Sequence, residues 1–186
     1  DESTLFEDVH SLLPGSTLTV DLKTLKITTN QYYDIGTQTI DRFNGDLNTA
    51  VEEYRERFEE TVRIHMRSDV PVGACLSGGL DSNLIVATAA SQNPGIMLKT
   101  FTASFAGTSL DESEYVRLHG SSNEQLEQYF INPNADDLLE AIPKMTRIQD
   151  HPLKSTSPFA QWMVMNLAAS KGAKVLLDGQ GADEAI

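Results

Sequence analysis

Six consecutive residues, Ser77-Gly78-Gly79-Leu80-Asp81-Ser82, carry the groups needed to hold a polyphosphate. Two adjacent glycines let the backbone approach an anion with no Cβ in the way. Ser77 and Ser82 add hydroxyl donors. A helix opening after the turn leaves backbone N–H groups unpaired, with a partial positive charge at its mouth. Asp81 stands inside the turn and has the wrong sign for a phosphate, so a divalent cation is expected between the two. The pattern lacks the lysine of the G-x-x-x-x-G-K-[ST] loop and is therefore a different cradle. An ordinary strand-to-helix turn with a capping serine is the structural alternative. The context weighs for a nucleotide: residues 70–76 form an apolar run suited to a buried strand, and residues 83–90 suit a buried helix.

A second run, Asp178-Gly179-Gln180-Gly181-Ala182-Asp183-Glu184, follows the apolar residues 173–177. Alone it reads equally well as a tight turn, and it fails the EF-hand pattern, which needs acidic or amide residues at alternate positions. Together with the first loop it places Asp81 and Asp183 at the ends of neighbouring strands, where two carboxylates can hold Mg²⁺ against a polyphosphate. Gln180 does not titrate; its amide suits orientation of a carboxylate or phosphate, not acid–base work.

The elements that must position these loops alternate between strand and helix. Residues 46–67 are the clearest helix, with Asp46 as its cap and Leu47, Val51, Tyr54, Phe58, Val62 and Met66 on one face. Residues 97–105 and 126–131 read as strands, with a short helix from Asp111 to about His119 between them. Asn134 caps a further helix, which Pro143 is expected to break into two short pieces. Ser157-Pro158 opens another helix, and Gly172 stops it. This order implies an α/β fold with a doubly wound parallel sheet, whose ligands bind beyond the carboxyl ends of the strands. Residues 17–20 and 25–28 form an N-terminal β-hairpin joined at residues 21–24, expected to be the tail of a preceding domain.

Composition narrows the class. The 186 residues suit one domain with an appendage, and 40% hydrophobic content is enough for a core. A net charge of −13 argues against a nucleic-acid surface, and no apolar run approaches a membrane span. A single cysteine, Cys75, excludes an internal disulfide and fits a reducing, cytoplasmic setting; within an apolar strand it reads as a small hydrophobe. The sequence begins at Asp1 and stops just after the second loop, and both ends read as cuts.

S-G-G-L-D-S after an apolar strand resembles the pyrophosphate loop of the N-type ATP pyrophosphatases, which have an adenine nucleotide alpha-hydrolase-like fold. With the second loop, residues 68–73, 100–105 and 150–157 added, the chain resembles the synthetase domain of glutamine-dependent asparagine synthetases. Residues 1–36 then resemble the end of the family's glutaminase domain and its linker, and residues 37–186 the synthetase domain. The resemblance implies ATP and Mg²⁺ as cofactors, and aspartate, ATP and ammonia from glutamine as substrates. The aspartate side chain would be activated as β-aspartyl-AMP, and ammonia would then displace AMP. By matching position, Ser77, Gly78, Gly79, Asp81 and Ser82 would hold the pyrophosphate. Cys75 and Ala103 would lie on the adenine side through their backbones, and Asp178 and Gly179 near the nucleotide. Asp81 and Asp183 would bind Mg²⁺, Gln180 and Asp81 would serve the reaction, and residues 155–157 would face the aspartate pocket.

Two positions depart from the better-known members: Gln180 stands for a glutamate, as in a bacterial-type branch, and Asp178 for a serine. The family's N-terminal cysteine nucleophile and a later lysine are not in this sequence, so it is expected to be a fragment that makes no asparagine alone; a homodimer is possible for the whole enzyme. β-Lactam and lasso-peptide macrolactam synthetases share the two loops, and a non-catalytic ATP-binding fragment is the reading from another class.

Overall fold

The computed structural model describes residues 2–34, 36, 43–109 and 111–182. Asp183 lies outside the described residues. The chain divides into two compact units, residues 1–46 and 47–186.

In the first unit, β1 (Ser16–Val20) pairs antiparallel with β2 (Ile27–Gln31), in a register running from Ser16 opposite Gln31 to Val20 opposite Ile27. The second strand starts two residues later than the expected 25–28. The cause is the Asp21 carboxylate, which accepts from Lys23 N at 2.8 Å and Thr24 N at 3.0 Å and lengthens the turn. Leu25 takes a φ of 56° there, outside any strand geometry.

The second unit holds a four-stranded parallel sheet in the order β5-β4-β3-β6, formed by β3 (Val72–Cys75), β4 (Leu98–Ala103), β5 (Leu126–Ile131) and β6 (Val175–Leu177). Around it lie α1 (Leu47–His65), α2 (Leu80–Gln92), α3 (Ser113–Ser121), α4 (Ala135–Gln149) and α5 (Ser157–Ser170). The period-two alternation of each strand sorts its side chains between two cores. Ala74, Leu98 and Leu177 join Val62 of α1, Val86 and Ala89 of α2 and Val116 of α3 on one face. Phe101 joins Val164 and Ala168 of α5 on the other, stacked on Tyr129 at 5.5 Å between ring centroids. This is the doubly wound α/β arrangement that the alternation of elements implies. The chain steps from β3 outward to β4 and β5, then returns to β6 on the opposite side of β3. Strand order therefore reverses between β3 and β6, and the crevice beyond their carboxyl ends is where such sheets take ligands.

One helix expectation needs correction. The helix over residues 135–149 runs unbroken through Pro143. The bond lost at Pro143 would have gone to the carbonyl of Leu139, a residue on the solvent-exposed side of the helix, where an unpaired carbonyl costs less than in the core. Beyond the proline the helix is held by Met145, fully buried, and by Lys144 over the Trp162 ring at 5.3 Å. In α1, the apolar stripe is buried only at its carboxyl half: Val62 is in the core with Phe58 and Met66 against it, while Leu47, Val51 and Tyr54 are exposed.

Candidate functional site

The first loop starts from a fixed point. Leu76 N donates to Phe101 O at 3.0 Å, and Thr102 Oγ1 donates to Leu76 O at 2.7 Å, so the end of β3 is pinned to β4. Within the loop, Ser82 Oγ accepts from Ser77 N at 3.1 Å and lies 2.9 Å from Ser77 Oγ, which accepts from Gly79 N at 3.1 Å. Asn83 Nδ2 donates to Ser77 O at 2.9 Å and Gly79 O at 2.7 Å, and Asn83 Oδ1 lies 2.7 Å from His119 Nδ1. The loop carbonyls are thus turned toward α2. The two serine hydroxyls act first as braces, a tighter role than the free donors expected. Asp81 stands in the first turn of α2, not inside the loop, and Gly79 caps that helix with no side-chain hydrogen bond. A carboxylate there already faces the positive end of the helix dipole.

One contact of this loop comes from far along the sequence. Gly78 N donates to Glu112 Oε2 at 2.9 Å. Glu112 sits in the turn after β4, and its neighbour Asp111 fixes that turn. The Asp111 carboxylate accepts from Ser104 Oγ, Phe105 N, Ser113 N and Ser113 Oγ at 3.1–3.2 Å. Burial raises the Asp111 pKa, but those hydrogen bonds outweigh it and hold the carboxyl below the usual range.

The second loop meets the first directly. A Cβ on Gly179 would lie 3.2 Å from Ser82 N and 3.3 Å from Asp81 Cβ, so glycine permits the close approach of the two loops. Asp178 Oδ2 accepts from Gln161 Nε2 of α5 at 3.2 Å. Burial, and secondarily the Asp178 charge, push the Cys75 thiol up to about 12, so it is a neutral hydrophobe at physiological pH.

The loops open on a cavity of about 710 Å³ at the carboxyl edge of the sheet, a size suited to a nucleotide. Cys75, Ser77, Gly78, Gly79, Asp81, Ser82, Ala103, Asp178, Gly179 and Gln180 all line it, as do Thr156 and Ser157. Phe105, Glu112, Asn134, Leu138, Phe159 and Gln161 line it too, and the sequence reading names none of them as a site residue. The acidic pair Asp111-Glu112 that closes the turn after β4 and opens α3 was the available signal, because β4 neighbours β3 and shares its carboxyl edge. The charged lining is Asp81, Glu112 and Asp178; none of the described lining residues is Lys, Arg or His. Among the described residues no group of three or more His, Cys, Asp or Glu could hold a metal by itself. No helix among them is long and apolar enough to cross a membrane.

Comparison with known proteins gives one family match, two curated relatives and one solved structure. The family model for asparagine synthase matches residues 53–186. Asparagine synthetase [glutamine-hydrolyzing] 1 of Bacillus subtilis is 31% identical over 182 residues, covering 98% of this chain and 28% of the relative. A second asparagine synthetase-type protein, from Methanocaldococcus jannaschii, is 36% identical over 140 residues, covering 75% of this chain and 26% of its own length. Among solved structures, the NH3-dependent NAD synthetase of Campylobacter jejuni overlaps 70% of this chain and 56% of its own at a TM-score of 0.41, with 16% identity. The chain thus spans about a quarter of the length of these two curated relatives. Since the family match takes in both loops and every strand between them, the chain belongs to the asparagine synthase family.

Proposed function

We propose that residues 47–186 form the ATP-binding part of an amide-forming ligase that activates the side-chain carboxylate of aspartate. The observation that carries this is the meeting of the Ser77–Ser82 and Asp178–Ala182 stretches over one cavity, through the close packing of Gly179 on the start of α2. A carboxylate oxygen of the substrate would attack the α-phosphorus of ATP. The bond to the bridging oxygen would break, and pyrophosphate would leave with the electron pair. The lone pair of ammonia would then attack the acyl carbon, with AMP as leaving group and one proton lost from nitrogen.

The chain's own contribution is placement. The first turn of α2 would present backbone donors where charge collects on the leaving pyrophosphate, while the glycine loop, its amides tied to Ser82, Ser77 and Glu112, would set the shape of the cradle. Gln180, on the cavity wall, would orient a carboxylate or phosphate by hydrogen bonding. Thr156 and Ser157 stand where the aspartate pocket is proposed. An all-acidic charged lining fits Mg²⁺ better than a bare polyphosphate. Asp81, with Asp183 beyond the described residues, would hold the ion, and phosphate oxygens would complete its shell. The ion would supply neutralising charge on the polyphosphate.

Calorimetry with ATP, in excess Mg²⁺ and in chelator, tests the binding. Mg·ATP is expected to bind the wild-type chain, and Asp81→Ala to weaken it about tenfold or more. Equal affinity with and without Mg²⁺ in the wild type overturns the metal-bridged reading. Aspartate-dependent exchange of labelled pyrophosphate into ATP, on a protein carrying this chain, tests adenylation; exchange indifferent to aspartate would exclude it as the substrate.

A further inference from the structure

We propose that Glu112 is a specificity residue of the phosphate loop: its carboxylate holds the Gly78 N–H that a phosphate oxygen must take, and this biases the site toward metal-complexed over free polyphosphate. The inference rests on the nucleotide reading above and adds to it a residue outside both loops. The contact is direct, Gly78 N to Glu112 Oε2 at 2.9 Å, between residues 34 positions apart. It is also close-packed: a Cβ on Gly78 would lie 2.6 Å from Glu112 Cβ and 3.1 Å from Oε2. The glutamate side chain therefore lies against the bare face of the glycine, the face a phosphate would approach.

The two neighbouring carboxylates divide the work. Asp111 is tied by hydrogen bonds from Ser104, Phe105 and Ser113, and this fixes the backbone at the root of Glu112. Glu112 itself is exposed, and its side chain makes no capping bond to α3. It is thus a movable anion on a fixed pivot. One N–H serves one strong acceptor, so a phosphate oxygen taking the Gly78 amide displaces the glutamate into the same cavity that Asp81 and Asp178 line. A free polyphosphate meets this displaced charge unscreened. A magnesium complex carries less net negative charge and meets less repulsion.

The test compares inorganic pyrophosphate binding by calorimetry, with Mg²⁺ in excess and with EDTA, to wild type, Glu112→Gln and Glu112→Ala. Folding of each variant is checked by circular dichroism, and the exposed position makes both substitutions tolerable. In EDTA, affinity is expected to rise about tenfold in Glu112→Gln and at least as much in Glu112→Ala, the scale of one charge-assisted hydrogen bond. With Mg²⁺ the change is expected to stay under about threefold, so the ratio of the two affinities falls. A purely structural Glu112 would move both affinities together, leaving the ratio intact, and that result overturns the proposal. So does a fall confined to the magnesium complex, which would make Glu112 a metal ligand. Wild type that binds Mg·ATP with variants unchanged in EDTA sinks this inference alone. No polyphosphate binding to wild type under either condition sinks the nucleotide reading and this inference with it.

Discussion

The two loops that face each other across the cavity are built on different physical terms. The loop after β3 is cross-braced: Ser82, Asn83 and Ser77 bind its amides and carbonyls, and Thr102 locks its root to the neighbouring strand. The loop after β6 shows, among the described residues, one side-chain hydrogen bond, from Gln161 to Asp178, and is placed by the contact of Gly179 with the start of α2. One loop thus carries its own shape, and the other takes its place from its partner. A preorganised backbone suits a charge-stabilising site because the loop itself keeps its shape as charge develops. A loop placed by a single glycine contact suits the half of a site that must admit a second substrate.

The largest way to break this contrast is Gly179→Val. Its Cβ alone would press on Ser82 N at 3.2 Å and Asp81 Cβ at 3.3 Å, and the branched side chain adds bulk at this tight contact, so the loops are expected to part. Loss of stability of about 1–3 kcal/mol is expected from overpacking. Mg·ATP binding should fall by about 10²-fold, because a displacement near 1 Å is costly in a positioned site. Gly179→Ala serves as the milder arm, and unchanged affinity in Gly179→Val, by calorimetry, would show that the loops do not act together.

A paired measurement of unfolding in urea sharpens the contrast further. Ser82→Ala removes the acceptor of Ser77 N at a site where Ser82 is buried, and is expected to cost about 1–2 kcal/mol. Gln161→Ala removes only the exposed bond to Asp178 and should stay within about 0.5 kcal/mol. Equal losses would erase the distinction between a braced and a placed loop.

How much of this was legible in the sequence follows from the range of each interaction. The glycine loop, its strand and its helix lie within 21 consecutive residues, so their pattern carries their geometry. The strand pattern gave only that the Asp178 loop ends a strand; the places of Ala103 and Asp178 beside a nucleotide came from the family resemblance. The Asp111–Glu112 turn was read only as a helix start. Its contact with Gly78 spans a crossover, and no periodicity encodes which loop a side chain will reach. Pro143 misled because the local cost of proline was visible while the exposure of Leu139 and the anchoring of Met145 were not. Likewise the helical period of α1 gave its apolar face but not how much of that face finds neighbours.

The smallest expected effect reads the coupling between the loops through Cys75, at the end of β3. Its thiol is raised from an ordinary value of 9.0 to about 12, by burial first and by the Asp178 charge second. The folded value exceeds the unfolded one, so this group's contribution to stability is complete below pH 9 and is lost as pH climbs toward about 12. Cys75→Ala should flatten that alkaline decline. Asp178→Asn should lower the thiol's pKa slightly, seen as a shift in the pH profile of its alkylation rate. A profile that does not move would place the Asp178 charge outside the reach of β3.

The strand order also sets the sequence in which the halves of the cavity can come together. The braced loop and the Glu112 turn belong to strands that follow one another in the chain, and β4 and β5 align over six residue pairs. β6 reaches β3 only by closing a span of about a hundred residues, and it then gains three residue pairs at a sheet edge. Long closures with small returns come late in folding and open first in the native state. Amide hydrogen exchange should therefore show weaker protection in β6 than in β4, and equal protection would contradict this. If it holds, the protein can lose its second loop while keeping the first, and polyphosphate that bridges both loops would act as the clamp that holds β6 in the sheet.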